Sequence, residues 1–150
     1  MMTESRSWLN LTCNYFESIC NRVLVHRLAI DGFTRCDSEG IIAVRYCTGS
    51  LFVEFSYYVE DSPTYSLSVF IGLGSGMFDH RGSYAAVPLW YVSDVVGLTS
   101  GPWRFSSPDQ LAKIFEEIYD SHLHGILQNV QKSNTYLEDL IASFNQKAIE

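Results

Sequence analysis

Three stretches of alternating apolar and polar residues constrain the fold of this chain most strongly. They read IIAVRYC (41–47), LFVEFSYYVE (51–60) and YSLSVFIG (65–72). A period of two places successive side chains on opposite faces of a β-strand. The links TGS (48–50) and EDSPT are typical of chain reversals, because they contain Gly and Pro. The sequence therefore predicts an antiparallel meander with a three-residue hairpin loop at 48–50.

The two faces of this predicted sheet differ in composition. The core face carries the apolar set Ile42, Val44, Tyr46, Leu51, Val53, Phe55, Tyr57, Val59, Leu67, Val69 and Ile71. The opposite face carries Arg45, Phe52, Glu54, Ser56, Tyr58, Ser66, Ser68 and Phe70. Three large rings are unusual on a face that contacts water. Either they are covered by Trp90, Trp103 or the first helix, or they form a patch with Arg45 that binds a partner.

Helical periodicity flanks the meander on both sides. We expect a first helix over 4–21, then a strand within 23–36 that contains a bulge or turn at Gly32. Residues 89–98 fit a short helix or a docked apolar segment. The sequence SSPDQ predicts a helix start, with Ser107 as the cap, Pro108 in the first helical position and Gln110 in a capping box. A second capping box, formed by Thr135 and Glu138, predicts that this helix breaks near 131–135.

These elements predict one α+β domain spanning 1–150. Its order is an N-terminal helix, an antiparallel β-meander of about four strands, and C-terminal helices packed on one sheet face. A chain of 150 residues, 47% of them hydrophobic, can bury a core without a metal or disulfide.

Charge restricts the class of partner. The chain has 17 acidic and 10 basic residues, a net charge of −7, and its cations are scattered singly. This balance disfavours nucleic acid and anionic membrane surfaces and favours a basic protein partner. We also expect no membrane span, because no apolar run approaches 18 residues.

The cysteines and the first residues indicate the compartment. Cysteines stand at 13, 20, 36 and 47, and no pair has the CxxC spacing of a zinc or redox site. The start MMTESRSWLN does not have the pattern of a secretory signal. We therefore predict a cytoplasmic protein with four free thiols, and neither a cofactor nor a metal.

The stretch FIGLGSGMFDHRGSY (70–84) is the most distinctive candidate site. Its G-x-G-x-G spacing, without a lysine or a following helix, does not match a phosphate loop, and its Ser75 lacks the elbow of a hydrolase. A permissive connection that serves as a binding loop fits better. Met77, Phe78 and Tyr84 would be apolar anchors, and Asp79 and Arg81 would pair across an interface. Alternatively, Asp79, His80 and Arg81 serve a small enzyme or ligand-binding domain.

The long C-terminal helix supplies a second candidate. Glu116, Asp120 and His124 recur every four residues and so lie close to one helix face, which is compatible with a divalent ion. A solvated polar face is the favoured interpretation, because it lies opposite the apolar stripe. His122 and His124 point about 200° away from each other, so they cannot chelate an ion together. Together with Glu117, these carboxylates form an acidic stripe that is a second candidate surface for a partner.

The layout resembles a loose group of small bacterial α+β proteins. The features that carry the resemblance are the first helix, the 41–72 meander, the segment YVSDVVGL (91–98), the Ser-Pro-Asp-capped helix and a short final helix. Several such groups are of unknown function, and some are similar to immunity proteins encoded beside secreted toxins. The resemblance covers most of the chain and assigns no functional residue. It implies a cytoplasmic, non-enzymatic protein that binds and neutralises a toxin domain.

Three hypotheses about function follow. The first is a protein-binding module, with contacts from the 72–86 loop and the outer sheet face. The second is a small enzyme or ligand-binding domain with a pocket between this loop and the 89–104 segment. The third is a subunit of a structural homodimer.

Overall fold

The structure, a computed structural model, describes residues 13–37, 43–61, 64–74, 76–98 and 103–149. Within these ranges the chain forms an α+β fold, as predicted, with an antiparallel sheet between an N-terminal helix and C-terminal helices. The helices are α1 (Cys13–Ile30), α2 (Leu89–Val95), α3 (Pro108–Ile118), a π-helical segment (Tyr119–Leu123), α4 (His124–Lys132) and α5 (Asn134–Ile149). The strands are β1 (Thr34–Cys36), β2 (Ala43–Thr48), β3 (Leu51–Asp61), β4 (Thr64–Leu73), β5 (Ala86–Pro88) and β6 (Trp103–Phe105).

The sheet confirms the predicted meander and adds short strands to it. Its strand order is β1-β2-β3-β4-β5, and β6 pairs with β4 as well. The hairpin loop is one residue shorter than predicted, because Thr48 pairs with Leu51 and only Gly49 and Ser50 turn the chain. Gly49 adopts a φ of +56°, which glycine tolerates at no steric cost.

The N-terminal region differs from the prediction. Helix α1 continues to Ile30 rather than ending at 21, so the strand expected within 23–36 is reduced to Thr34–Cys36. The early β-branched residues suggested a strand, but Val23, Leu24 and Leu28 continue the helical spacing and are buried in the core. The turn expected at Gly32 is present, with a φ of +87°. Residues 4–12 of the predicted first helix lie outside the described residues.

The core forms where the apolar face of the sheet packs against α1, α3 and the segments after α3. Phe55 contacts Phe115 of α3 with ring centroids 5.7 Å apart, and Phe16 of α1 contacts Tyr57 at 4.7 Å. Such contacts between rings add to the hydrophobic free energy of burial. The core-face assignment fails at Val59, which is exposed where the β3–β4 register shifts. Ile42 lies outside the described residues.

Helix α3 begins where the sequence predicts and the helical run breaks within 131–135, but Thr135 lies inside α5 rather than at its cap as predicted. Ser107 Oγ accepts a hydrogen bond from the Gln110 N–H at 3.3 Å, and Pro108 is the first helical residue. The chain leaves the helix at Ser133, whose backbone is extended, and re-enters it at Asn134. Residues 89–98 contain the short helix α2, one of the two alternatives. The π-helical segment between α3 and α4 was not predicted.

The prediction of four free thiols is wrong. Cys36 of β1 and Cys47 of β2 form a disulfide, with their Cα atoms 6.1 Å apart. Antiparallel pairing of the two strands brings these residues together without any local sequence motif. Cys20 is a free thiol, and burial raises its pKa to about 12, which keeps it protonated and unreactive. Among the described residues, no helix is both long enough and apolar enough to cross a membrane.

Candidate functional site

Residues 76–85 form a small hairpin rather than an open loop. Phe78 and Tyr84 are bridged as antiparallel partners, and the Asp79 N–H donates to the Ser83 carbonyl oxygen at 2.8 Å. Asp79 Oδ1 accepts the N–H groups of Arg81 at 2.8 Å and Ser83 at 3.0 Å. The Arg81 N–H, followed by that of Ser83, holds the pKa of Asp79 below its usual value. The Asp79 carboxylate is thus an acceptor that shapes the hairpin.

The other members of the Asp79-His80-Arg81 triplet point to no shared chemistry. His80 is exposed, and Arg81 is exposed with its guanidinium Nη2 3.9 Å from Asp79 Oδ2. Asp79 and Arg81 line an open depression of about 460 Å³ together with residues of α5 such as Glu138 and Asn145. Apolar side chains such as Leu73 and Ile141 also line this depression, and it is open to solvent rather than enclosed as a ligand site usually is.

An asparagine of α5 holds the hairpin in place. Asn145 Oδ1 accepts the Tyr84 N–H at 2.9 Å, and Asn145 Nδ2 donates to the Tyr84 carbonyl oxygen at 2.9 Å. The two bonds pair the side chain with the backbone much as a neighbouring strand would. The hairpin is therefore attached to the C-terminal helix, which limits the conformational entropy that binding would cost.

Rings from the hairpin, α2 and α5 form a continuous aromatic ridge, comprising Phe78, Tyr84, Phe144 and Trp90. Successive ring centroids are 4.9 Å apart from Phe78 to Tyr84, 5.2 Å from Tyr84 to Phe144 and 6.3 Å from Phe144 to Trp90. Phe78 is 57% exposed and Trp90 is 49% exposed. Contiguous exposed aromatic groups mark interaction surfaces more often than scattered apolar residues do. Sequence reasoning selected Phe78 and Tyr84 but missed the partners on α2 and α5. Met77 is part of the same hairpin and is half-buried.

The outer sheet face divides into a buried and an exposed part. Arg45 and Phe52 are buried, with exposed fractions of 3% and 0%. Arg45 Nε donates to Glu54 Oε1 at 2.8 Å, and the Arg45 guanidinium lies 3.9 Å from the Phe52 ring centroid. These two members of the predicted binding patch are therefore internal. Tyr58 is 54% exposed and Phe70 is half-buried, so these two reach the surface.

A pocket opens at the edge of β4, and we call it the edge pocket. Strand β5 pairs with residues 70–72 of β4 and β6 pairs with residues 65–67, which leaves Ser68 and Val69 between them. The pocket has a volume of about 190 Å³. Its lining residues are Tyr58, Ser66, Leu67, Ser68, Val69, Phe70, Pro88, Trp90 and Trp103. Trp90 and Trp103 belong to the 89–104 segment, but among the described lining residues none comes from the 72–86 loop, so this is not the pocket that the second hypothesis places between that loop and the segment.

A buried polar cluster lies where α1 meets the π-helical segment. The Tyr119 hydroxyl donates to Asp31 Oδ2 at 2.7 Å, and His124 Nδ1 lies 3.3 Å from the same oxygen. Burial, followed by the hydrogen bond to Asp31, raises the pKa of Tyr119. Sequence reasoning missed this cluster because its members are far apart in the chain and depend on how the helices dock.

The predicted polar stripe of the C-terminal helix is only partly solvated. Glu116, Glu117 and Asp120 are exposed, whereas His122 is buried. His122 Nδ1 lies 3.1 Å from Ser93 Oγ of α2. His122 follows Ile118 by four residues and Phe115 by seven, so it continues the spacing of the buried apolar stripe. Burial lowers the pKa of His122. Within the described ranges, no three His, Cys, Asp or Glu side chains gather as metal ligands.

Comparison of the chain with protein-family models, curated proteins and solved structures gave no match. The resemblance to immunity proteins therefore remains one of pattern. The aromatic ridge, the edge pocket and the charge of the surface are the features from which function has to be inferred.

Proposed function

We propose that this protein is a non-enzymatic binding module whose aromatic ridge contacts a basic protein partner. The exposure of Phe78 and Trp90 within a continuous row of rings is the observation that carries this proposal. Aromatic side chains supply a large contact area with few rotatable bonds, and they are frequent among residues that dominate binding energy. The Asn145 contacts with Tyr84 hold one part of the ridge in place before binding.

Charge supports a basic partner. The net charge of −7 would accelerate association with a cationic protein and would repel polyanions. The exposed acidic stripe of Glu116, Glu117 and Asp120 is a second contact surface in this proposal.

The partner that we propose is a toxin domain, in line with the resemblance to immunity proteins. The protein would neutralise it by covering its functional surface, which requires shape and charge complementarity but no reaction. A cytoplasmic location belongs to the same proposal. The Cys36–Cys47 disulfide is more typical of an oxidising compartment, and cell fractionation would test the cytoplasmic location.

The alternative hypotheses receive less support from the geometry. An enzyme built on Asp79, His80 and Arg81 would need the Asp79 carboxylate for chemistry, whereas two backbone N–H groups already occupy its Oδ1. A homodimer would use the aromatic ridge against a second copy of itself. That alternative predicts self-association that depends on Phe78.

The test uses the product of the adjacent reading frame as the candidate partner. We expect the two purified proteins to form a complex by isothermal titration calorimetry, and we expect Phe78→Ala to weaken it at least about tenfold, as for an interface anchor. Ile30→Ala is the matched control, because Ile30 is 75% exposed at the end of α1 and outside the ridge. Absence of a complex, or equal weakening by both variants, would contradict the proposal. A dimer by light scattering that Phe78→Ala dissociates would support the homodimer instead.

A further inference from the structure

We propose that the edge pocket receives the guanidinium group of an arginine side chain. This inference rests on the proposed function, since the arginine would be an anchor of the basic partner. It assigns the edge pocket a ligand chemistry distinct from the apolar contact made by the aromatic ridge.

Four aromatic side chains from four elements line the edge pocket. They are Tyr58 of β3, Phe70 of β4, Trp90 of α2 and Trp103 of β6. Ring contacts outside the pocket position the two indoles, since Trp103 lies 5.7 Å from His122 and Trp90 lies 6.0 Å from Tyr91. Aromatic faces attract cations through their quadrupole, tryptophan most strongly, and arginine is the usual protein cation in such contacts.

The size of the pocket suits one planar group. Its volume of about 190 Å³ is slightly larger than the roughly 150 Å³ cavity that holds a benzene molecule in an engineered protein. A guanidinium group is planar, weakly hydrated for a cation, and able to stack on aromatic faces. An arginine head therefore fits the pocket in both shape and chemistry.

Two serine oxygens of the pocket can accept hydrogen bonds from a ligand. Ser66 Oγ donates its proton to Glu60 Oε2 at 2.6 Å, which leaves the oxygen lone pairs as acceptors. The Ser68 hydroxyl also lines the pocket and can accept a hydrogen bond. Guanidinium carries five N–H donors and no acceptor, so it matches these oxygens.

The charges around the pocket do not oppose a cation. All of the lining residues that the structure describes are uncharged. Arg104, whose strand position pairs with Ser66, is bound to Glu60 through contacts of 2.6 Å from Nε and 3.0 Å from Nη2. Its charge is therefore compensated locally, and the net charge of −7 attracts a cation from a distance.

The experiment titrates the full chain with N-acetyl-arginine methylamide and with its neutral isostere, N-acetyl-citrulline methylamide. The indole N–H signals in a nitrogen–proton NMR spectrum report binding, and tryptophan-to-phenylalanine variants assign them. We expect the arginine probe to shift the Trp90 and Trp103 signals. We expect the citrulline probe to bind about fivefold more weakly, as for a cation–π contact that loses its charge.

Variants locate the binding and control for folding. Tyr58→Ser should weaken binding of the arginine probe, because Tyr58 lines the pocket. Val59→Ala is the control and should leave probe binding unchanged, because Val59 is exposed at the next position of β3. Equal affinity for both probes, or no shift with either up to the solubility limit, would overturn the inference. Phe78→Ala separates the two proposals, since it should weaken partner binding and leave probe binding intact. If the arginine probe binds but no protein partner forms a complex, the pocket inference stands and the proposed function is contradicted.

Discussion

The Tyr119 hydroxyl and the Asp31 carboxylate are joined by a hydrogen bond of 2.7 Å that ties the π-helical segment to the end of α1. Both side chains are buried. We expect Tyr119→Phe to lower the free energy of unfolding by about 1–3 kcal/mol, because a buried carboxylate loses a donor. Urea unfolding at neutral pH measures this. Tyr58→Phe is the control, since Tyr58 is exposed, and an equal loss in the two variants would contradict the expectation.

The same bond predicts a response to alkaline pH. Burial and the bond to Asp31 raise the pKa of Tyr119, so the unfolded chain loses this phenolic proton before the folded chain does. The contribution of Tyr119 to stability is complete below the unfolded pKa of about 10 and declines as the pH rises above it. Denaturation midpoints between neutral pH and the alkaline range should fall less steeply in Tyr119→Phe than in the wild type.

His122 predicts a response in the opposite direction. Burial lowers the pKa of His122, so the unfolded chain takes up this proton more readily than the folded chain. Its contribution to stability is complete above the unfolded pKa of about 6.5 and is lost as the pH falls below it. We expect His122→Gln to reduce the loss of stability on acidification, measured as guanidinium midpoints on both sides of that pKa. An unchanged pH slope would argue against a buried neutral imidazole.

Gly72 is required because the Phe52 ring occupies the space that a side chain at this position would need. A Cβ at this position would lie 2.2 Å from Phe52 Cζ and 2.8 Å from Ala86 Cβ. We therefore expect Gly72→Ala to destabilise the protein by about 1–3 kcal/mol through overpacking. Gly125→Ala is the matched control, because Gly125 lies in helix α4 and a Cβ at this position would meet nothing within 4 Å. Gly125→Ala should raise the free energy of unfolding by roughly 0.5–1 kcal/mol, because alanine favours a helix more than glycine does. Thermal unfolding of the two variants measures both changes.

The Cys36–Cys47 disulfide predicts sensitivity to reductant. The disulfide closes a loop with a sequence separation of 11. By restricting the entropy of the unfolded chain, such a loop raises the free energy of unfolding by about 3 kcal/mol. Reduction should lower the unfolding midpoint of the wild type but not that of Cys36→Ser/Cys47→Ser. The number of titratable thiols in the denatured chain, prepared without reductant, should rise by two after reduction. Four titratable thiols before reduction would disprove the bond.

The parts of the fold that the sequence predicted depend on neighbouring residues. The alternation at 41–72 identified the meander, and Ser107, Pro108 and Gln110 identified a helix start, because strand faces and caps are set within a few positions. In the hairpin Phe78 is exposed and Tyr84 is half-buried, and their role as binding anchors remains a proposal.

The predictions that failed involve competition between local preferences and packing. Val23 favours a strand locally, yet it lies in α1 because its helical spacing buries an apolar face. Cys36 and Cys47 show no local pairing motif, yet the pairing of β1 with β2 brings them into a disulfide.

The sequence by itself determined the α+β class, the core meander, the acidic charge and the position of the helix cap, since periodicity, composition and capping are properties of short segments. Only the tertiary structure decided that Cys36 meets Cys47, that Tyr119 meets Asp31, and that Trp90 and Trp103 flank one pocket. Those relationships join residues distant in the chain. They depend on strand register and helix docking, which are fixed by the packing of the whole core rather than by any local pattern.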